Sequence, residues 1–458
     1  MLKSRVLALK DALVRDTQLM LGFASVREAP AGSAMPFGRE NAAALDFFLK
    51  LGHQLGFKTE NFSGYAGHVE YGQGEEILGV LCHLDVVPPG ENWTYPPFGG
   101  VIAHDRLYGR GAVDNKGPAM ACLYGLAALK SIGFQPQRRI RVIVGLDEES
   151  HWECMNHYLQ HAEKPSLGFA PDAEFPIINA EKGILVAGVK GALPESRRWQ
   201  LLSIEGGNRP NMVPDSCRMR LNSPGHRVEQ QELLVALEAV GVKAAISCSG
   251  PVAELEFSGV SAHASMPHLG DNAVYHALRF LAGLGFGGLV GTLAEKLAFQ
   301  HDGQGLGIGF ADQESGSLTV NLGVIASLGE TLDVKLDLRY PVTFSKEQVI
   351  AGLRAAIGEV GVVTHEGGID SLHVPADSEL IKVLQRVYQR CTGADPKLIA
   401  IGGGTYARAI EQAVAFGPVF PGQPELAHQR DEHITIDDLV KLTWIYAEAM
   451  KALAGGEQ

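Results

Sequence analysis

Residues Ile77 to Pro118 read ILGVLCHLDVVPPGENWTYPPFGGVIAHDRLYGRGAVDNKGP. The stretch opens with an apolar run, Ile77 to Cys82, of the length and composition of a buried strand. The run then breaks into His83-Leu84-Asp85. Period-two alternation puts His83 and Asp85 on the same side of the chain. A second acid follows in Gly109-Arg110-Gly111-Ala112-Val113-Asp114, just ahead of a helix-like segment. One imidazole and two carboxylates at strand and loop ends, with glycines around them, point to a metal site at the carboxyl edge of an α/β sheet.

The flanking sequence adds acids in the same setting. Arg139 to Gly145 (RIRVIVG) has the pattern of another buried strand and runs straight into Leu146-Asp147-Glu148-Glu149. Gly168-Phe169-Ala170-Pro171-Asp172 reads as a short strand that again ends in an acid. Pro118 to Ile132 reads as a buried helix, with proline near its first turn and Gly133 as its stop. From about Glu181 the texture changes to strand alternations, helices and Gly-rich loops, and it changes back after about Pro375. The later part predicts a helix (Ser378 to Cys391), a strand (Lys397 to Ile401), a glycine loop (Gly402-Gly403-Gly404-Thr405) and a strand (Ala415 to Phe420). A loop with His428 follows, and then a final helix from Ile436 to about Leu453. The chain thus divides into a first domain in two parts, 1–180 and 375–458, and an inserted one, 181–374.

Composition bounds the rest. With 458 residues the chain is too long for one ordinary core. Hydrophobic residues at 46% and charged residues at 20% are those of a globular chain, not a disordered one. A formal charge of −13 argues against a nucleic-acid partner. No apolar run approaches the length of a membrane span. The N-terminal MLKSRVLALKDALVRDTQLML has charges at helical spacing, which suits an amphipathic first helix of a cytoplasmic protein and not a signal peptide. None of the six cysteines forms a CxxC pair, and several lie in apolar surroundings, so buried free thiols are expected.

Taken singly, each candidate has an ordinary explanation. A strand-end histidine is often structural, a Glu-Glu pair after a strand is usually surface charge, and an aspartate before a helix is usually its cap. The coincidence of His83, Asp85, Asp114, Glu148, Glu149, Asp172 and His428 outweighs these. Five carboxylates converging on one pocket would repel without cations, and two divalent ions relieve that repulsion. Mixed imidazole and carboxylate ligands suit zinc, with manganese or cobalt as alternatives. Asp114 is the natural bridge, His83 and Asp172 would complete one site, and Glu149 and His428 the other. Asp85 would bond the second imidazole nitrogen of His83 and set its tautomer. Glu148 is placed to take a proton from water and pass it to a leaving amine. His263, in the small-residue turn Ser261-Ala262-His263-Ala264-Ser265, suits a position near a ligand.

The segments CHLDVVPPG (82–90), LYGRGAVDNKGP (107–118), LDEES (146–150), APDAEFPIINAEKG (170–183) and SAHAS (261–265) resemble a known family. It is the two-zinc metallopeptidase family of aminoacylases, carboxypeptidases, carnosinases and bacterial dipeptidases. GGGTYAR (402–408) and HQRDEHI (428–434) extend the match over nearly the whole chain. DAEFP, GGGTYAR and the long insert look closest to the dipeptidase V, or Xaa-His dipeptidase, branch. The resemblance implies an α/β catalytic domain, with a mixed, mainly parallel sheet flanked by helices, and an inserted α+β lid domain. It implies a metal set of His83, Asp114, Glu149, Asp172 and His428, with Glu148 as general base and Asp85 as orienter. It further implies His263 as donor to an oxyanion, and Asn211, Arg339 and the backbone of Gly403, Gly404 and Thr405 as substrate contacts. The enlarged insert implies a monomer as the active unit. The expected activity is hydrolysis of dipeptides and short peptides with a free carboxylate. The alternative is an N-acyl amino acid deacylase of the acetylornithine or succinyl-diaminopimelate type.

Overall fold

A computed structural model describes residues 1–455. The chain divides into two compact units, and the chain runs from one to the other between Asn179 and Ala180 and again between His373 and Val374. Among the described residues the first unit holds 1–179, 374–399 and 404–455, and the second holds 180–373 and 400–403.

The first unit is built on a mixed sheet. Its order is Lys58–Phe62, Ala66–Tyr71, Arg139–Gly145, Ile77–His83, Leu167–Ala170, Ala413–Ala415 and Ile177–Glu181. The central strands Arg139–Gly145, Ile77–His83, Leu167–Ala170 and Ala413–Ala415 run parallel, and antiparallel strands flank them on both sides. Every residue of Ile77–His83 is buried, as a strand covered on both faces requires. The helix Lys116–Ser131 packs on Ile77–His83 and Arg139–Gly145 and against the last helix, Ile436–Leu453. It has no polar stripe, since most of its residues are buried between neighbours. The mixed α/β architecture expected from the sequence is the one observed.

Register fixes the edge that matters. His83 pairs with Gly145 across parallel strands, and Val80 pairs with Phe169 on the other side. Arg139–Gly145 and Ile77–His83 therefore end level, Leu167–Ala170 stops two residues short of them, and His83, Glu148, Glu149 and Asp172 stand at or just beyond the carboxyl ends of the three strands. The expected strand from Ala415 to Phe420 is broken instead into Ala413–Ala415 and Pro418–Val419. Gly417 at φ 73° and the imide of Pro418 interrupt the ladder between them.

The second unit is an eight-stranded antiparallel sheet. Its order is Ala245–Ser249, Val252–Ser258, Ser216–Asn222, Gln200–Gly206, Thr319–Leu328, Thr331–Tyr340, Gly183–Ala192 and Val362–Ile369. Burial alternates along Ser216–Asn222, with Cys217, Met219 and Leu221 in the core and Arg218 and Arg220 on the open face. The core beneath is filled from Gln230–Val240, Ala273–Gly283, Gly288–Lys296 and Lys346–Ile357. All six cysteines are free thiols, four of them buried. Among the described residues no single helix is long and apolar enough to cross a membrane.

Candidate metal centre

The strand ends deliver their side chains into one cluster. His83 is fully buried, and its Nε2 lies 2.9 Å from Asp114 Oδ1 and 3.4 Å from Asp172 Oδ1. His428 Nε2 lies 3.0 Å from Asp114 Oδ2 and 3.0 Å from Glu149 Oε1. Asp114 therefore stands between two imidazoles and gives one oxygen to each. The resulting row is Asp172, His83, Asp114, His428, Glu149. Donor atoms of His83, Asp114 and Glu149 converge within 4.8 Å, and so do those of His83, Glu148 and Asp172.

Local structure explains how each group is held. Asp114 does not cap the following helix, which starts at Lys116 with Asn115 in the capping position. The Asn115 amide is used elsewhere. It donates to Pro171 O at 2.5 Å and to Asp172 Oδ1 at 3.0 Å, and its own oxygen accepts the His83 N–H at 3.3 Å. One buried side chain thus ties the ends of two strands to the loop carrying Asp114. His428 adopts φ 63° in an irregular loop, a conformation that L-residues take rarely.

Asp85 differs from the expected arrangement. The His83 Nδ1–H is directed to the backbone carbonyl of Asp85 at 2.9 Å, while the Asp85 carboxylate lies 3.5 Å away. The strand ends at His83, so strand alternation no longer governs Asp85. Its carboxylate accepts the Glu149 N–H at 3.1 Å through Oδ2, and its Oδ1 is buried without a hydrogen-bond partner. Beneath His83 lies Tyr406, fully buried, whose ring meets the imidazole edge to face at 6.2 Å and whose hydroxyl contacts Cys154 Sγ at 2.7 Å.

The electrostatics are those of crowded acids. Burial and the charges of Asp172, Glu149 and Asp114 push Glu148 well above the usual carboxylate range. Burial pushes Asp172 up to about 7, against the pull of His83. Burial and Asp114 likewise raise Glu149. Burial alone would lower His83, but Asp172, Asp114 and Asp85 raise it well above its ordinary value. Hydrogen bonds to Asp114 and Glu149 raise His428 to about 11. Asp114 is held well below its usual range, since the hydrogen bonds from His428 and His83 overcome its burial. Protons on the two imidazoles thus stabilise acids that would otherwise repel. Divalent cations would do so more strongly and displace those protons. The donor set, two imidazoles and buried carboxylates about a shared aspartate, fits a pair of such ions.

The remaining candidates lie in the second unit or at its seam in the chain. His263 is exposed, and its Nδ1 contacts Ser265 Oγ at 2.7 Å and accepts the Ser265 N–H at 3.3 Å. Accepting there places the proton of a neutral ring on Nε2. Asn211 lies beside it, its carbonyl accepting the Ala264 N–H at 3.0 Å. Arg339 is buried and forked onto Asp337, Nε to Oδ1 at 2.6 Å and Nη2 to Oδ2 at 2.9 Å, and its Nη1 donates to Gly402 O at 2.9 Å. One edge of the guanidinium is therefore already engaged. Gly403 belongs to the second unit, Gly404 and Thr405 to the first, and Thr405 Oγ1 accepts the Ala407 N–H at 3.2 Å. Sequence reading assigned no part to Asn115, Tyr406, Arg110 or Glu432. All four lie inside the segments that carry the family resemblance, LYGRGAVDNKGP, GGGTYAR and HQRDEHI, which mark the stretch without marking the residue.

An α/β sheet carrying this donor cluster at its carboxyl edge is suited to hold divalent metal ions. The chain belongs to peptidase family M20/M25/M40, whose profile it matches over residues 79–452. The Bacillus subtilis (strain 168) protein named "Putative dipeptidase YtjP" is 41% identical over 464 residues, covering 98% of each chain. A dipeptidase-named protein of Staphylococcus epidermidis is 35% identical, covering 99% of each. Human carnosine dipeptidase 1 shares the fold at a TM-score of 0.60 and 14% identity, covering 99% of this chain and 98% of that one. Aminoacylhistidine dipeptidase of Vibrio alginolyticus does so at 0.58 and 15%, covering 97% and 96%. The protein is a metallopeptidase, a hydrolase acting on peptide bonds.

Proposed function

We propose that the protein is a two-metal dipeptidase acting on dipeptides and short peptides with a free C-terminal carboxylate. The observation that carries this is Asp114 set between His83 and His428, each imidazole backed by a further acid. His83 and Asp172 would hold one divalent ion, His428 and Glu149 the other, with Asp114 shared. Zinc suits these donors best, and manganese or cobalt would serve. Ions held there would acidify a water and polarise the scissile carbonyl.

The chain's own groups do the remaining work. Glu148 takes the proton from the attacking water on its carboxylate and delivers it to the leaving amine nitrogen. The Asp85 carbonyl fixes the Nδ1–H of His83, so that Nε2 faces the acids, and the Asp85 carboxylate fixes the backbone of Glu149. His263 donates Nε2–H to the developing oxyanion. Asn211, Arg339 and the backbone of Gly403, Gly404 and Thr405 hold the substrate, with Arg339 on its carboxylate. The names carried by the Bacillus and Staphylococcus relatives support a dipeptide over an N-acyl amino acid. The active unit is a monomer and its compartment the cytoplasm.

The test separates Glu148 from Glu149, because the donor atoms of both lie close to His83. Glu148→Gln keeps both ions and loses roughly 10²–10⁴ in rate, the worth of general acid–base help. Glu149→Ala loses one ion. Metal content by mass spectrometry together with kcat reads both. Loss of an ion from Glu148→Gln, with Glu149→Ala retaining two, would reverse the assignment.

A further inference from the structure

Asp114 and His428 both sit on backbone outside helices and strands, so no ladder of their own holds them in register. Glu432 joins the two segments. Its side chain is fully buried and its carboxylate is used on every side. Oε1 accepts the N–H of Val113 at 2.8 Å and of Asp114 at 3.1 Å. Oε2 accepts the N–H of Gly111 at 3.1 Å and the Nη1–H of Arg110 at 2.8 Å. The Glu432 carbonyl also accepts the Gly109 N–H at 3.0 Å.

Arg110 completes the clamp from the other side. It is 1% exposed, and it donates to the carbonyls of Gln429 at 3.1 Å, His428 at 3.3 Å and Pro89 at 3.2 Å. The loop carrying Asp114 is thus bonded by a side chain from the loop carrying His428. The His428 loop in turn is bonded by a side chain from the Asp114 loop. A buried carboxylate with one cation and three amide donors is a rigid connection, since removing any partner strands a buried charge or amide.

We propose that Glu432, with Arg110, is a positioning residue that brings Asp114 and His428 together and so sets the affinity of the ion shared between His428, Glu149 and Asp114. The proposal rests on the two-ion reading of the centre. Glu432 is not among the converging donor atoms, and it acts through the backbone of Asp114. The ion held by His83 and Asp172 depends on the clamp less, because Asn115 holds that side to the strand ends independently.

Cobalt(II) titration of the metal-free protein tests this, followed by absorption in the visible range and by calorimetry. The wild type takes up two ions. Glu432→Gln, folded by circular dichroism, keeps one site within about threefold and weakens the other by about 10–100-fold, the usual scale for groups that orient ligands. Its second set of absorption bands is correspondingly delayed. Two sites of wild-type affinity in Glu432→Gln would overturn the proposal. Equal weakening of both would also overturn it, as the mark of a general structural role. Arg110→Lys keeps a cation against Glu432 but gives up the carbonyl contacts to His428 and Gln429. It is read by the same criteria, and it decides the matter if Glu432→Gln does not fold. Uptake of fewer than two ions by the wild type would instead refute the two-ion reading itself.

Discussion

Protonation of His68 is predicted to loosen the frame of the catalytic sheet in mild acid. His68 is buried in the strand Ala66–Tyr71, paired opposite Ile143 of the strand that leads to Glu148 and Glu149. Its Nδ1 lies 2.9 Å from the Tyr158 hydroxyl, its Nε2 lies 3.8 Å from Glu60 Oε2, and its ring packs on Phe62. Burial lowers its pKa to about 4, with Arg141 and Arg139 adding to the effect and Glu70 and Glu163 opposing it. The unfolded chain has an ordinary histidine of about 6.5. Between those values the unfolded state binds the proton more readily, so stability falls as pH falls from about 6.5 towards 4. The His68 contribution is fully present above that window. From pH 7 to pH 5 the loss comes to about 2 kcal/mol. Urea unfolding of the metal-free wild type and of His68→Asn at the two pH values measures it. The packing lost in the variant is independent of pH and cancels in the comparison. The wild type should lose about 2 kcal/mol more than His68→Asn on acidification. Parallel losses in the two proteins would refute the reasoning.

Gly145 pairs with His83 at the strand end, and a Cβ there would run into the ring of Tyr406, itself packed under His83. Gly145→Ala should cost about 1–3 kcal/mol of stability and lower metal affinity, seen in a denaturant midpoint and a metal titration; a variant unchanged in both would contradict this. Asp337→Asn leaves the buried guanidinium of Arg339 without its counter-charge. It should destabilise the protein by about 3–5 kcal/mol, and a thermal midpoint equal to that of the parent would show that Arg339 does not depend on Asp337.

Much of the site was legible because it lies where strands end. Apolar runs followed by His83, Glu148-Glu149 and Asp172 mark the carboxyl edge of a sheet, and parallel pairing brings those ends to one edge. The final helix, Ile436–Leu453, was equally plain, since Thr435 caps it by accepting from Asp438 N and an apolar stripe runs its length. The parts that stayed hidden act through backbone atoms. Asp85 meets His83 with its carbonyl, which no residue type announces. Asn115 and Glu432 bond amides and carbonyls of distant loops, and their sequence neighbours give no period to read. The broken strand at Gly417-Pro418 shows the same limit, because an apolar run does not reveal where its ladder stops.

The most direct measurement is hydrolysis of a free alanine dipeptide, β-alanyl-histidine and N-acetylalanine by the metal-loaded protein, each with and without a chelator. Cleavage of the free dipeptides that stops with chelator and returns with added zinc or manganese is the predicted result. Turnover confined to N-acetylalanine would contradict the dipeptidase assignment, and dipeptide turnover indifferent to chelator would contradict the metal centre.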